Sequence, residues 1–319
     1  MADSPNIHIL DKSKTEEIRE KLRAPLGVLE DVANYGSHLI LRVWENTPKG
    51  MGDVVLVNHL LRLIVTHLDG LHTLLSTASG PTALLQLRSM LEASLLLEWV
   101  AKDDSETKGT YLAVSGWRKR KNSAHAFIPG TPENAAFLSA VPSFTISPEK
   151  EARAREELSN IDKVLAQTDL APINANFDQL AQKMTFEPEW IVAYDYAAKK
   201  AAGSTKPKKL SIRGLAKELG REHEYRYFYS KLSNETHGSA LSGSVAFPGD
   251  HVVTHNVRRL NEFNFTFSTA VTLALRSYRL ILNRYRPGET SLEKRYLSEW
   301  QSIFKTQWII KEVPARMPI

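Results

Sequence analysis

The sequence predicts an all-α protein, a single multi-helix bundle of about 8–10 helices carrying a long loop-and-hairpin insertion. Three observations predict it. Apolar residues recur at helical spacing over long windows, as in Val54, Val57, Leu61, Ile64, Val65, Leu68, Leu71 and Leu75, which share one face. Helix stops and starts punctuate the chain at Ser79-Gly80-Pro81, Ser147-Pro148-Glu149 and Pro287-Gly288. No strand-like alternation of useful length and no internal repeat stand against them.

The elements follow in order. Residues 1–12 read as a flexible tail. From Lys14 a helical pattern runs to Asn46 and Pro25 kinks or divides it, because proline lacks the amide that a helix interior needs. Thr47 to Gly52 breaks the chain, and Asp53 to Leu75 makes the long helix described above. Pro81 to Ala101 is apolar nearly all round, which places it centrally. On it Leu84, Arg88, Leu91, Glu92, Leu95 and Trp99 share a face, and Arg88 and Glu92 stand one turn apart. Ser105 caps a helix from Glu106 to Arg120. Residues 121–147, dense in proline and glycine, read as a loop or lid. A charged helix then runs from Ser147 to about Gln167, its polarity suiting a solvent-facing arm. Short helices follow at Phe177 to Met184, at Pro188 to Ala202 and, with an N-cap serine and a terminal glycine, at Ser211 to Gly220. Glu224 to Gly243 is the focal stretch: Tyr225, Phe228, Tyr229, Leu232, Thr236 and Ala240 form one stripe, with Ser233 and His237 on the same side. Asp250 is placed to cap a long aromatic-rich helix from His251 to Arg286, and Ser291 to Ile310 makes a final amphipathic helix.

These elements predict one helical domain over residues 13–310, its core at 53–120 and 221–286 and its insertion at about 121–210, with a tail at 311–319. The 319 residues suffice for one large domain or two intimate ones. The absence of cysteine excludes a disulfide framework and a thiolate zinc site and suits the cytoplasm. The first residues are polar and lack the order of a secretion signal. Arg88, Glu92 and Glu98 interrupt the most apolar run, so no membrane span is expected. A net charge of +5 permits a polyanionic partner without requiring one. Its local clusters, Arg118 to Lys121 and Lys199, Lys200, Lys206, Lys208 and Lys209, read first as solvated cations at helix C-termini.

Two constellations carry chemistry. If the two helices pack side by side, Arg88, Glu92, Ser233 and His237 converge. A carboxylate-held imidazole is a general base near neutrality, and a guanidinium stabilises charge on a phosphate. That set suits metal-free RNA cleavage, with His237 taking the ribose 2′-hydroxyl proton and Arg88 bracing the phosphorane. It equally suits recognition of a small anion, or a buried network that fixes helix register. The second constellation is His237, His251 and His255: on a helix, His251 and His255 at i and i+4 could share a metal. No HExxH occurs, and Arg258 and Arg259 would repel a cation, so neither a metal nor another cofactor is expected. His59, His67 and His72 read as packing residues. Neither GxxxxGK[ST] nor GxSxG occurs, which leaves a phosphate loop and a serine hydrolase without support.

The segment LRSMLEASLLLEWVAKDD, followed about 130 residues on by YRYFYSKLSNETHGSA, resembles a large, mostly bacterial family of uncharacterised helical proteins. Its members carry an R-x-x-x-E helix and a Y-x-x-x-S-x-x-x-H helix; Arg88, Glu92, Ser233 and His237 occupy those positions, and the likeness runs from Asp53 to Arg286. The family is distantly similar to HEPN domains, which include RNA-cleaving toxins and phage-defence effectors as well as inactive nucleotide-binding members. HEPN nucleases place R-x(4–6)-H on one helix. Here the nearest upstream arginine is Arg226, so a nuclease of that type needs Arg88 from another helix. The resemblance implies RNA or a nucleotide as partner. A homo-oligomer such as a dimer is expected from the apolar faces of the last two long helices.

Overall fold

In the computed structural model the described residues are 15–45, 47, 49–184, 187–201, 203, 211–236, 245–246, 251–255, 257–260, 262–309 and 315–318. Side chains are not described at 201, 230, 233–236, 246, 251–253, 290, 292–293, 296 and 315–318. The fold class is all-α. The chain divides into two compact units, one drawn from 1–48, 56–102 and 212–319, the other from 49–55 and 103–211.

The first unit is built on α1 (Thr15–Lys21), α2 (Arg23–Glu45), most of α3 (Met51–Ser76) and α4 (Gly80–Lys102). Pro25 divides α1 from α2 as expected: it has no amide for the Lys21 carbonyl, and Leu22 forms the turn. Within α3, Val54–Leu61 is a π-helix, whose longer hydrogen-bond step widens the buried side. Val57, Leu61, Ile64, Leu68, Leu71 and Leu75 are all fully buried, as the periodicity predicts, and Val55, Leu56 and Leu60 join them. This helix, rather than the 81–101 run, is long and apolar enough to cross a membrane, but half of its apolar window is buried inside the fold. α4 is central: Leu84, Leu87, Met90, Leu91, Leu95, Leu97, Trp99 and Val100 are buried around its circumference.

The unit closes with α10 (Ile212–Glu218), α11 (Glu222–Thr236), α12 (Phe263–Tyr285) and α13 (Thr290–Lys305). Gly220, at φ +71°, ends α10 in the left-handed conformation that the sequence signal required. α12 packs on α2 and α4. Its Tyr278 is fully buried, and the hydroxyl donates to the Val32 carbonyl at 3.0 Å. On the last helix Trp300 is buried, and Phe304 stacks on Phe267 with centroids 5.6 Å apart.

Two expectations here are corrected. The stretch read as the start of a long helix at His251 is a strand, His251–Thr254, and α12 begins only at Phe263. The β-branched pair Val252 and Val253 suits the extended backbone. That strand pairs antiparallel with Val245–Ala246 and with Ala315–Pro318, so part of the expected 311–319 tail is a sheet strand.

The second unit holds α5 (Ser105–His125), α6 (Pro132–Ala140), α7 (Pro148–Leu165), α8 (Ala171–Ala181) and α9 (Trp190–Ala201). Its main segment runs from 103 to 211, so it takes in α5 as well as the stretch read as an insertion at about 121–210. On α5, Tyr111 packs on Phe177 and Tyr194, with centroids 5.8 and 5.7 Å away, and the core neighbours of the helix are α7 and α9. Residues 121–147 are not one loop. Thr131 caps α6 by accepting from the Asn134 amide, Pro132 occupies the first turn, and Phe127, Phe137 and Phe144 cluster at 5.1–6.2 Å. Glu106 accepts from the amides of Met51 and Gly52 at 2.7 and 2.8 Å and so caps the start of α3.

Gly36 on α2 lets the Tyr278 ring approach: a Cβ there would lie 2.6 Å from both the ring carbon Cζ and Val65 Cγ2. Gly27, nine residues earlier on the same helix, has nothing within 4 Å. Gly36→Ala is expected to lower stability in urea denaturation by about 1–3 kcal/mol through overpacking. Gly27→Ala should be neutral or stabilising by about 0.5–1 kcal/mol, because it removes only backbone entropy. Equal effects from the two variants would contradict this packing.

Candidate functional site

The site is framed by the docking of α11 on α4. Arg221, 8% exposed at its side chain, donates from Nη1 to Glu98 at 2.8 Å and from Nη2 to Glu224 at 2.5 Å. Arg276 on α12 donates to the same Glu224 at 2.8 Å, and Trp99 Nε1 donates to Glu218 at 2.9 Å. Burial pushes the Glu224 carboxyl upward, but bonds from Arg221 and Arg276 outweigh it and hold it below the usual range. A buried guanidinium costs several kcal/mol in lost hydration, so it is tolerable only with both carboxylates in place. Glu98 meets Arg221 and, ten residues earlier on α4, Arg88 meets Tyr229. The two helices therefore run antiparallel, and the C-terminal end of α11 heads toward the Gly80 end of α4.

Arg88 is the centre of the described site. Its Nε donates to Glu92 at 3.2 Å and its Nη2 donates to the Tyr229 hydroxyl. The guanidinium lies over the Tyr229 ring, 4.5 Å from its centroid, and Tyr229 stacks on Tyr225 at 4.5 Å with 21° between the planes. Among the described residues, Arg88 Nη1 is enclosed and has no hydrogen-bond partner. The side chains of Arg88 and Glu92 are 17% and 33% exposed, so solvent reaches the pair from the carboxylate side. The guanidinium is thus fixed in orientation by two groups while one of its donors is unspent.

Of the predicted quartet, Arg88 and Glu92 are together. Ser233 lies on α11 one turn past Tyr229, with its side chain outside the described residues, and His237 falls just beyond Thr236, also outside them. The sequence reading did not find Tyr229 as the partner of Arg88. Its place in the Y-x-x-x-S-x-x-x-H spacing, four residues from the stacked Tyr225, was the signal available.

The helix expected to carry His251 and His255 is corrected. His251 lies on the strand and His255 just after it, so they do not share a helix face. On extended backbone, four residues span about 13 Å, so the close i, i+4 approach of a helix is lost. No group of three metal-ligating side chains forms among the described residues. His67 is engaged by Gln86 at 2.7 Å, and burial lowers the His59 pKa. Among the described residues of the basic clusters, Arg118 bridges Asp178 and Glu187, Arg120 bridges Glu157, Lys121 bridges Asp162 and Lys199 bridges Asp195.

Burial, then the adjoining Tyr229 and the Glu92 charge, push the Tyr225 hydroxyl up to about 12, with Arg88 opposing. A raised folded-state pKa means the folded chain holds this proton longer than the unfolded one. The stabilisation is whole below pH 10, where both forms are protonated, and is lost as pH rises to about 12. The difference in tyrosinate absorbance between wild type and Tyr225→Phe should therefore show a phenol titrating near 12. A difference titration centred near 10 would show that Tyr225 is not enclosed against Glu92 and Tyr229.

No curated protein and no solved structure matches the chain. One family model does match, over residues 53–250, a span that begins in α3 and takes in α4, the whole 103–211 unit and α11. Both helices that frame Arg88 lie inside it. With well over half its length in that match, the chain belongs to DUF5677, a family of unknown function.

Proposed function

We propose that the chain is an HEPN-like helical protein that acts on RNA or a nucleotide, gripping a phosphate with Arg88. The observation that carries this reading is the unspent, enclosed Nη1 of an arginine whose other nitrogens are already held by Glu92 and Tyr229. Such a fixed donor is an electrostatic stabiliser waiting for negative charge. His237, four residues after Ser233 in the sequence, is the general base. It takes the proton of a ribose 2′-hydroxyl; the freed oxygen attacks the adjacent phosphorus, and the bond to the 5′-oxygen breaks. A 2′,3′-cyclic phosphate and a 5′-hydroxyl result, the leaving oxygen being reprotonated by the same imidazole. Ser233 and Glu92 orient the imidazole and the guanidinium. On this reading the protein is a metal-independent endoribonuclease in the bacterial cytoplasm, serving as an effector in defence against phage.

A second reading takes the quartet as a non-catalytic anion site or a clamp that sets helix register. It is favoured by the Glu92 partner, which already neutralises Arg88. Purified protein incubated with total RNA in EDTA separates the two. The first reading expects cleavage by wild type and at least a hundredfold loss in His237→Ala and Arg88→Ala. No cleavage by wild type, or equal cleavage by His237→Ala, removes it. A large stability loss in Arg88→Ala, without any phosphate-dependent change in Tm in wild type, would favour the clamp.

A further inference from the structure

We infer that Arg259, with Arg258 and the first turn of α4, forms a second phosphate subsite, so that the ligand of the Arg88 site is an oligonucleotide rather than a mononucleotide. This rests on the preceding reading for Arg88, but its own support is independent. Arg259 is only 6% exposed, its Nε is fully enclosed without a hydrogen-bond partner, and no carboxylate pairs with it among the described residues. An uncompensated buried guanidinium is among the most costly features a fold can carry. The other buried arginine among the described residues, Arg221, has its carboxylates in Glu98 and Glu224.

The surroundings add positive charge instead of cancelling it. The Arg259 carbonyl accepts from the Gly80 amide at 3.0 Å, which seats this residue against the first turn of a 23-residue helix. That end carries the positive pole of the helix dipole, and no acidic residue stands in its first turn. Arg258 lies beside it, its Nη1 donating to the Thr77 carbonyl at 2.9 Å, to Thr77 Oγ1 at 3.1 Å and to Ser79 Oγ, all neutral acceptors. The Arg258 guanidinium and the Arg259 backbone thus meet the start of the helix, and no carboxylate pairs with either arginine there among the described residues.

The antiparallel course of α11 ties this place to the first site. The end of α11 runs from Arg88 toward Gly80, and Lys231 on it reaches Glu262 at 2.7 Å, just past the arginine pair. Gly80 and Arg88 are eight residues apart, about 12 Å along the helix axis. Two phosphate-binding points at that spacing are not filled by the single phosphate of a mononucleotide. A short single strand supplies them.

The test uses the full chain, calorimetric titration and melting curves. The probes are inorganic phosphate, adenosine 5′-monophosphate and a 2′-O-methylated RNA octamer that cannot be cleaved through its 2′-oxygens. Unliganded Arg259→Gln should melt at or above the wild-type temperature, because an unpaired buried charge has been removed. The same change should weaken octamer binding about tenfold and lower the slope of log K against log salt by about 0.7, the single-strand value for one lost phosphate contact. The monophosphate, which reaches one subsite only, should bind wild type and Arg259→Gln alike. A drop in the melting temperature of unliganded Arg259→Gln with an unchanged octamer slope would overturn the proposal and make the guanidinium structural. Octamer binding lost in Arg88→Gln but untouched in Arg259→Gln would overturn the subsite while leaving the Arg88 reading intact. Inorganic phosphate stabilising wild type through Arg259, with no octamer bound, would overturn the oligonucleotide assignment and leave a free-phosphate site.

Discussion

The fold of the first unit depends on one buried charge. Arg221 sits where α11 meets α4 and is held by Glu98 from one helix and Glu224 from the other. Because desolvating a guanidinium offsets much of the Coulombic gain, this contact contributes specificity of register more than net stability. Slide α11 by one turn and Glu224 travels with the arginine but Glu98 does not; the lost partner costs about 3–5 kcal/mol, which leucine-on-leucine packing would not impose. Register is what the site needs. Only with Arg221 opposite Glu98 does Tyr229 come opposite Arg88, and only then does the end of α11 point at the arginine pair before α12.

Seen along α4, the polar residues form a series rather than scattered exceptions in an apolar helix. Glu98 receives the docking arginine, Glu92 and Arg88 make the oriented pair, and the Gly80 turn receives Arg259. Charge is balanced at the Glu98 end and increasingly positive toward the N-terminus, where the helix dipole adds to it. An extended polyanion laid along that helix would meet rising attraction, which also steers its approach.

Much of this fold could be read from the chain because its apolar periods are long. α3 and α4 repeat their pattern over many turns, and every face residue of α3 from Val57 to Leu75 that the pattern selected is buried or nearly so. Reading failed where elements are short and local signals compete. Thr131-Pro132-Glu133 is a proper helix start, yet the surrounding prolines and glycines argued for a loop. His251–Thr254 is four residues long and is followed closely by an aromatic helix, so the longer pattern absorbed it. Its partner Ala315–Pro318 has no alternation of its own and becomes a strand only by pairing. In the site, Arg88 and Glu92 stood out because charge is rare among leucines. Arg221 did not, since Arg221, Glu222 and Glu224 together look like an ordinary solvated helix start. Nothing in the spacing of Arg258 and Arg259 distinguishes the buried one from its neighbour, because burial there is decided by contact with Gly80, 179 residues earlier.

The most direct measurement is a crystal structure of the chain with a 2′-O-methylated RNA oligonucleotide bound. The account predicts a phosphate oxygen about 3 Å from Arg88 Nη1, with Nε still on Glu92 and Nη2 still on Tyr229. An oligonucleotide bound elsewhere, with Nη1 as enclosed and unpartnered as before, would contradict it.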